Sequence, residues 1–286
     1  MLLFLLQVKI KIKDVNNLER KLIAIDLDGT TLNNESKISS YTKEVLQKAA
    51  QAGHIVSIVT GRPNRISENF YDELNIPTPM INFNGALGHI PHKNWDKEYI
   101  ETFSKDIALD LVAEKEKLGI KIVAAESKNY ALADQPNNII PDFFPATLKA
   151  NEVLNAINLQ KDPSAMTILV DEHKLPNIVE TLKANFGDKI TVGVWGGKNP
   201  ILELSPKGVN KAKGVDFLAK TYNIDKKNII AFGDEHNDAS MIDYAGWGVV
   251  MQNGTDKLKS LANDITEYDN DHDGLARYLE NYLKLA

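Results

Sequence analysis

Two aspartates, Asp26 and Asp28, follow directly after a short apolar run and are separated by one residue. The apolar residues Leu22 to Ile25 lie between charged residues, which predicts a strand buried on both faces. Side chains at positions i and i+2 of a strand leave it on the same side, so we expect the two carboxylates to point together. In an open α/β sheet, ligands bind beyond the carboxyl ends of the strands, where Gly29 allows the backbone to turn. Such a pair suits a nucleophile with an acid/base partner, or a magnesium site.

Three further segments place polar side chains where apolar runs end. A bare Asp-x-Asp is more often a solvated turn after a core strand, but here it begins the longer string Asp-x-Asp-Gly-Thr-x-Leu. Segment 54–59 predicts a second buried strand that ends at Thr60, and Pro63 suits the first turn of the next helix. Segment 203–214 contains Lys207, Lys211 and Lys213 near an expected helix start. The strand predicted at 229–233 is followed by Asp234, Glu235, His236, Asn237 and Asp238.

In this order, the four segments resemble the motifs of the haloacid dehalogenase (HAD) superfamily. Its members are mostly magnesium-dependent phosphatases that form an aspartyl-phosphate intermediate. More than a hundred residues separate the second segment from the third, too many for a connection inside one compact sheet. A mixed α+β insert at this place resembles the Cof-type branch. The resemblance covers residues 21–285 and is specific to the motifs in the core, but only positional in the insert.

The resemblance implies an α/β fold: a doubly wound, Rossmann-like parallel-sheet core with an inserted α+β cap domain. We expect the core at residues 1–84 and 200–286 and the cap at 85–199. In the core we predict a helix at 42–52, a helix at 66–74 and a short strand and turn at 80–86. In the cap we predict strands at 120–125, 130–133, 165–170 and 190–195, helices at 104–117 and 175–185, and another helix near 147–157.

The resemblance also assigns roles to residues. Asp26 would attack the phosphoryl group, and Asp28 would protonate the leaving alkoxide and then activate water. Lys211 is chosen over Lys207 and Lys213 because family strings of the type Pro-x-Gly-Val-Ser-Lys-Gly align with 206–211, although Asn210 and Ala212 depart from that pattern. The expected set comprises the catalytic residues Asp26, Asp28, Thr60 and Lys211, the substrate-binding residues Leu27, Gly61, Arg62 and Asn237, and Asp26, Asp28 (through its backbone carbonyl), Asp234 and Asp238 around Mg²⁺.

The amino-acid composition excludes several classes of protein and of functional site. The 286 residues carry a formal net charge of -6, which argues against a general nucleic-acid or membrane-surface binder. No cysteine is present, which excludes disulfides and thiolate metal sites and fits a cytoplasmic enzyme. The apolar start 1–6 is too short to span a bilayer and lacks the features of a secretory signal. Segment 8–13 alternates apolar and basic residues and predicts a half-exposed strand.

Two other sequence patterns are candidates for a metal site. Segment 269–280 matches the EF-hand pattern Asp-x-Asp-x-Asp-Gly-x₅-Glu, but the entering helix is missing and Arg277 stands at the ninth position, so we expect no calcium site. His89 and His92 lack a third ligand for zinc. His236 is a candidate proton shuttle, although a loop histidine beside a complete acid/base set is more often incidental.

The leading hypothesis is a Mg²⁺-dependent phosphomonoesterase that acts on a small phosphorylated metabolite, as a monomer or small homo-oligomer. A phosphotransferase or phosphomutase is the alternative, because an aspartyl phosphate can transfer its group to an alcohol other than water. A non-catalytic phosphate-binding regulator would not need the second carboxylate, Asp28. Cap residues facing the core are expected to select the substrate, with Asn84, Trp195, Gly196 and Lys198 as candidates.

Overall fold

The computed structural model describes residues 19–138, 140, 143–195 and 199–285. The strand predicted at 8–13 lies outside these ranges. The strands are β1 (Leu22–Ile25), β2 (Ile55–Ile58), β3 (Met80–Asn82), β4 (Leu87–His89), β5 (Tyr99–Ile100), β6 (Ile120–Ser127), β7 (Tyr130–Ala133), β8 (Ala165–Val170), β9 (Ile190–Val194), β10 (Ile201–Pro206), β11 (Ile229–Gly233), β12 (Trp247–Val250) and β13 (Asp264–Ile265).

The α-helices alternate with many of these strands. They are α1 (Ser40–Gln51), α2 (Glu68–Leu74), α3 (Lys105–Ala113), α4 (Lys115–Leu118), α5 (Leu175–Phe186), α6 (Lys211–Tyr222), α7 (Ala239–Tyr244), α8 (Asp256–Lys259) and α9 (Gly274–Leu283). Short 3₁₀ turns lie at Asn64–Ile66, Phe83–Gly85, Ala150–Glu152, Glu172–Lys174, Lys226–Asn228, His236–Asp238 and Asn270–His272, and a wider helical turn lies at Leu27–Thr31.

A parallel sheet with the strand order β13-β12-β11-β1-β2 forms the first layer of the fold. Alternate residues of β1 pack on opposite faces of this sheet: Ile23 and Ile25 join the apolar cluster beneath α1 and α9. Leu22 and Ala24 join the cluster beneath α6 and α7. Helices therefore cover both faces, and this explains why β1 is a continuous apolar run. The predicted doubly wound α/β core is confirmed.

A second, antiparallel sheet has the strand order β7-β6-β8-β10-β9. Helices α3 and α5 cover one of its faces, where Ile107 and Leu182 pack against Met166 and Leu204. The strands predicted at 120–125, 130–133, 165–170 and 190–195 all occur within one or two residues of their expected ends. Their α+β character matches the expected insert.

The strand β10 begins after residue 199, where we expect the insert to end, yet it pairs with β8 and β9. At the other boundary, β3 pairs with β4 across residue 85, and a parallel bridge between Val59 and Ile81 joins β3 to the core. The division into a discontinuous core and an inserted cap stays a prediction. The strand pairing favours an end of the insert after Pro206.

The helix predicted near 147–157 is wrong. This segment contains the 3₁₀ turn Ala150–Glu152 and is otherwise irregular. The Asn155 side-chain oxygen accepts hydrogen bonds from the backbone N–H groups of Ile157 and Asn158, both at 2.9 Å. Such local side-chain bonds compete with the helical backbone pattern. Across the described ranges, no helix is long and apolar enough to cross a membrane.

Replacing Leu46 by alanine tests the packing of α1 on the parallel sheet. Leu46 is fully buried against the sheet, so its truncation leaves a cavity, and we expect the free energy of unfolding to fall by about 2–5 kcal/mol. Urea unfolding followed by circular dichroism measures the change. The control is Glu44→Ala on the exposed side of the same helix, which removes a surface ion pair with Lys48 and should cost less than about 1 kcal/mol. Equal losses in both variants would contradict the packing described here.

Candidate active site

The carboxyl ends of the parallel strands bring together residues from distant parts of the chain. Asp26 follows β1, Asp234 follows the neighbouring strand β11, and Thr60 lies just after β2 on the other side of β1. All three line one cavity of about 800 Å³. Asp26 and Thr60 are almost fully buried, so their side chains are held by their surroundings. The edge of the sheet thus collects the residues that the first, second and fourth motifs supply.

Lys211 enters this site from the first turn of α6. The side chain of Asn210 caps the helix by accepting a hydrogen bond from the backbone N–H of Lys213. The fully buried Lys211 Nζ lies 2.7 Å from Asp26 Oδ1 and 2.6 Å from Asp238 Oδ1. Burial alone would lower the pKa of Lys211, but the Asp238 and Asp26 carboxylates outweigh it and raise that pKa. Lys211 is therefore a permanent cation in the site.

The other lysines of the same segment lie elsewhere. Lys207 is exposed, and Lys213 Nζ forms an ion pair with Glu101 at 2.7 Å. The structure therefore brings Lys211, the lysine chosen from the sequence, to the aspartates.

Asp238 organises the loop that carries Asp234. Asp238 Oδ2 accepts hydrogen bonds from the backbone N–H groups of Asp234 and Glu235 at 2.9 and 3.0 Å, while Oδ1 accepts the Lys211 bond. The carboxylate is fully buried, with two hydrogen bonds on Oδ2 and the Lys211 bond on Oδ1. Asp238 thus holds both Lys211 and the loop, and its expected role as a metal ligand stays a prediction.

Three carboxylates in the site lie unusually close together. Ligand oxygens of Asp26, Asp234 and Asp238 are all within 4.8 Å of one another. Burial, reinforced by the Asp238 charge, raises the pKa of Asp26 well above its usual value, although Lys211 opposes this. Burial and Asp238 also raise the pKa of Asp234 to about 7, although a hydrogen bond from Thr30 opposes this. Asp26 and Asp234 thus lie where negative charge is poorly compensated.

These residues fit a divalent cation. In their ionised forms, the three carboxylates outnumber the single ammonium group of Lys211 by two charges. Carboxylate oxygens are the ligands that hard divalent cations prefer. Of the predicted ligands, Asp26 and Asp234 offer side-chain oxygens.

Asp28 has a different environment from Asp26. Neither carboxylate lies within the strand, because β1 ends at Ile25 and Asp28 lies in the turn Leu27–Thr31. Gly29 has a φ of +67°, and a Cβ there would come within 2.2 Å of Asp234, so glycine is required for this turn. The Asp28 side chain is 57% exposed and accepts two hydrogen bonds from Arg62, at 2.7 and 2.5 Å. It still lines the same cavity as Asp26.

The predicted substrate-binding residues divide between cavity and core. Gly61, Arg62 and Asn237 line the cavity. The Leu27 side chain is fully buried in the apolar core, so any contact with a ligand would come from its backbone. Of the candidate cap residues, Asn84 and Trp195 line the cavity, whereas Gly196 and Lys198 lie outside the described residues.

The sequence did not predict that Asn237, Asn84, Glu203 and Trp195 form one hydrogen-bonded chain in the cavity. Asn84, which adopts a positive φ of 52°, accepts a hydrogen bond from Asn237 at 3.2 Å and donates one to Glu203 at 2.9 Å. Trp195 Nε1 donates to the other Glu203 oxygen at 3.2 Å. Burial raises the pKa of Glu203, while these two donors oppose the rise. The sequence signal for Glu203 is the single charged residue of the strand β10, between Leu202 and Leu204.

The EF-hand-like segment binds other parts of the protein. Asp271 accepts a hydrogen bond from the backbone N–H of Asn34, Asp273 accepts from the Ser39 and Thr42 hydroxyls, and Glu280 accepts from the Tyr41 hydroxyl. These bonds join the segment to the loop before α1 and to α1 itself.

The histidines also have ordinary partners. His89 contacts Asn82 at 2.9 Å, and burial lowers its pKa to about 4. His92 pairs with Asp72, and His236 contacts the adjacent Glu235. None of these contacts joins two histidines at a common point.

Comparison with known proteins places the chain in a family. A model of haloacid dehalogenase-like hydrolases matches residues 23–279. The 5-amino-6-(5-phospho-D-ribitylamino)uracil phosphatase YitU of Bacillus subtilis is 34% identical over 266 residues, covering 92% of this chain and 98% of YitU. The phosphatase YwtE of the same organism, named for the same substrate, is 30% identical, covering 92% of this chain and 98% of YwtE.

Solved structures agree with this result. A haloacid dehalogenase-like hydrolase from Bacteroides thetaiotaomicron superposes with a TM-score of 0.76 and 25% identity, covering 92% of this chain and 99% of that structure. The resemblance inferred from the four motifs is therefore confirmed. The chain belongs to the haloacid dehalogenase-like hydrolase family and is a phosphatase of that family.

Proposed function

We propose that this protein hydrolyses phosphate monoesters of small metabolites through an aspartyl phosphate formed on Asp26, with Mg²⁺ as its metal ion. The observation that carries the proposal is the buried Asp26 carboxylate, which meets Lys211 and lies near Asp234 at the wall of a large cavity. A binding protein for phosphate would not need a carboxylate there, because its negative charge repels the ligand. A nucleophile explains it.

The site must overcome the repulsion between a carboxylate and a phosphate dianion. Lys211 supplies one positive charge at Asp26. The Thr60 hydroxyl and backbone N–H groups in the turn Leu27–Thr31, which follows Asp26, can donate to phosphoryl oxygens. When bound by Asp26 and Asp234, Mg²⁺ would supply the remaining positive charge against the phosphoryl oxygens. Asp238 keeps Lys211 in place.

Two steps complete the reaction. Asp26 attacks phosphorus, the bond to the leaving oxygen breaks, and Asp28 gives its proton to that oxygen. Asp28 then takes a proton from water, which attacks the aspartyl phosphate and releases inorganic phosphate with Asp26 restored. Arg62 holds both oxygens of Asp28 and therefore orients it, while the exposure of Asp28 allows it to exchange protons with solvent.

The relatives support a small hydroxylated substrate. YitU and YwtE are named for a ribityl phosphate attached to an aminouracil, and both match nearly the whole of this chain. We infer that the leaving group here has a comparable size, because the cavity of about 800 Å³ can enclose a small molecule.

Asp26→Asn tests the nucleophile. The amide cannot form the acyl phosphate, so we expect kcat for p-nitrophenyl phosphate to fall by about 10⁴-fold or more. Phosphate release measures the loss, and circular dichroism verifies that the variant folds. Lys211 keeps its bond to Asp238 in this variant, which should preserve the local structure. A variant with wild-type turnover would disprove the covalent mechanism.

Asp28→Asn should separate the two steps. The nitrophenolate ion leaves without help from an acid, so Asp26 should still be phosphorylated, whereas the attack of water lacks its base. We therefore expect a burst of nitrophenolate equal to the enzyme concentration, followed by slow turnover, in stopped-flow absorbance. Acid-quenched protein should carry the phosphoryl group. If the variant shows neither a burst nor a phosphorylated protein, the role given to Asp28 is wrong.

Removing the metal should stop turnover. Without a divalent cation, the excess negative charge of Asp26, Asp234 and Asp238 repels the substrate, so EDTA should abolish activity and added Mg²⁺ should restore it. Calcium should restore little, because its larger and looser coordination shell does not hold the reacting groups in line. The control is Asp271→Ala in the EF-hand-like segment, which should show the same Mg²⁺ dependence. Activity that survives thorough chelation would refute the metal site.

A further inference from the structure

The wall of the cavity opposite the parallel sheet is built by β9 and β10. Leu202 and Leu204 of β10 point into the apolar cluster beneath α3 and α5, so the alternate residues Glu203 and Ser205 point the other way. Both of these residues line the cavity, as do Thr191 of β9 and the neighbouring Trp195. The carboxylate of Glu203 therefore lies on the cavity face of a strand whose opposite face is apolar.

Glu203 has acceptor capacity that the protein does not use. A carboxylate can accept about four hydrogen bonds. Glu203 Oε1 accepts one from Asn84 and Oε2 accepts one from Trp195. These two bonds fix both oxygens while each retains a further lone pair. A group pre-positioned in this way selects ligands that carry paired hydrogen-bond donors.

Glu203 is close enough to the reacting groups to contact the same molecule. Asn84 bridges Glu203 to Asn237, in the loop that carries Asp234, and the Asn84 backbone N–H donates to the carbonyl of Thr60 at 3.0 Å. A monoester whose phosphate lies at Asp26 would extend its other end toward this wall. Beside Glu203, the Trp195 and Phe143 rings meet edge to face with centroids 4.5 Å apart. They add an apolar surface for carbon atoms.

We propose that Glu203 is a specificity-determining residue that accepts hydrogen bonds from neighbouring hydroxyl groups of the leaving group. The inference rests on the proposed phosphatase function and defines its substrate class as monophosphates of polyhydroxylated compounds. The chemical reason is that hydroxyls replace water at the free lone pairs of Glu203, whereas an alkyl chain leaves a partly buried carboxylate without those partners. Such mismatches are strongly discriminated against.

Two substrates with equal carbon number isolate this effect: D-ribitol 5-phosphate, which carries four free hydroxyls, and pentyl phosphate, which carries none. The variant Glu203→Gln keeps the side-chain size and removes the charge. We expect the ratio of kcat/KM for ribitol 5-phosphate to that for pentyl phosphate to fall by about 10- to 100-fold. A structural role of Glu203 through Asn84 would instead lower both values equally and leave the ratio unchanged.

Glu235→Gln is the matched control. Glu235 lines the same cavity, but its carboxylate accepts hydrogen bonds from the backbone and ring of His236. Removing this charge should change kcat/KM by the same factor for both substrates and therefore preserve the ratio of the two kcat/KM values. If Glu235→Gln lowers the ratio as much as Glu203→Gln does, the general charge of the cavity, and not Glu203, determines selection.

A binding measurement makes the test independent of turnover. Calorimetry would compare the affinities of ribitol 5-phosphate and pentyl phosphate for Asp26→Asn and for Asp26→Asn/Glu203→Gln. We expect the preference for ribitol 5-phosphate to fall by the same factor in the double variant. An unchanged preference in both kinetics and binding overturns the role of Glu203. Failure of the proposed function would instead appear as full activity of Asp26→Asn. That result does not depend on the ratio of the two binding affinities, so the two failures can be distinguished.

Discussion

The ammonium group of Lys211, buried between the carboxylates of Asp26 and Asp238, is the interaction on which the rest of the site depends. An unpaired charge in this place would cost several kcal/mol, so each member of the triad is tolerated only because the others are present. Asp238 also holds the loop of Asp234 through two backbone hydrogen bonds. One cation thus fixes Asp26 and, through Asp238, the position of Asp234.

The parallel sheet makes this arrangement possible. Because β1 lies between β2 and β11, the residues that follow all three strands meet at one edge, with Asp26 in the middle. Lys211 is 185 residues from Asp26 in sequence and arrives from a helix that covers one face of the same sheet. The helices on both faces exclude water from the strands. Asp26 and Lys211 therefore lie at the boundary between the apolar core and the open cavity.

The sequence predicts the strands of the parallel sheet, because helices bury them on both faces. Strands covered on both faces are continuous apolar runs, so β1, β2 and β11 and the residues after them were found correctly. The contact of Asp28 with Arg62 was not predicted, because it joins side chains that are 34 residues apart in the sequence. Glu203 stood inside a recognised motif, but its position on the cavity wall follows from the pairing of β10 with β8 and β9, which is not visible in a local pattern.

The strand β10 and the helix that follows it carry two residues of the site that are close together in the sequence. Glu203 lies in its middle, and Lys211 begins the helix only five residues after the strand ends. The residue proposed to select the leaving group and the lysine that contacts Asp26 thus belong to one continuous segment. Lys211 is locked by buried partners, whereas Glu203 contacts cavity residues, Asn84 and Trp195. If Glu203 selects the leaving group as proposed, substitutions on the cavity wall would change which ligand fits without disturbing the charges that hold Asp26.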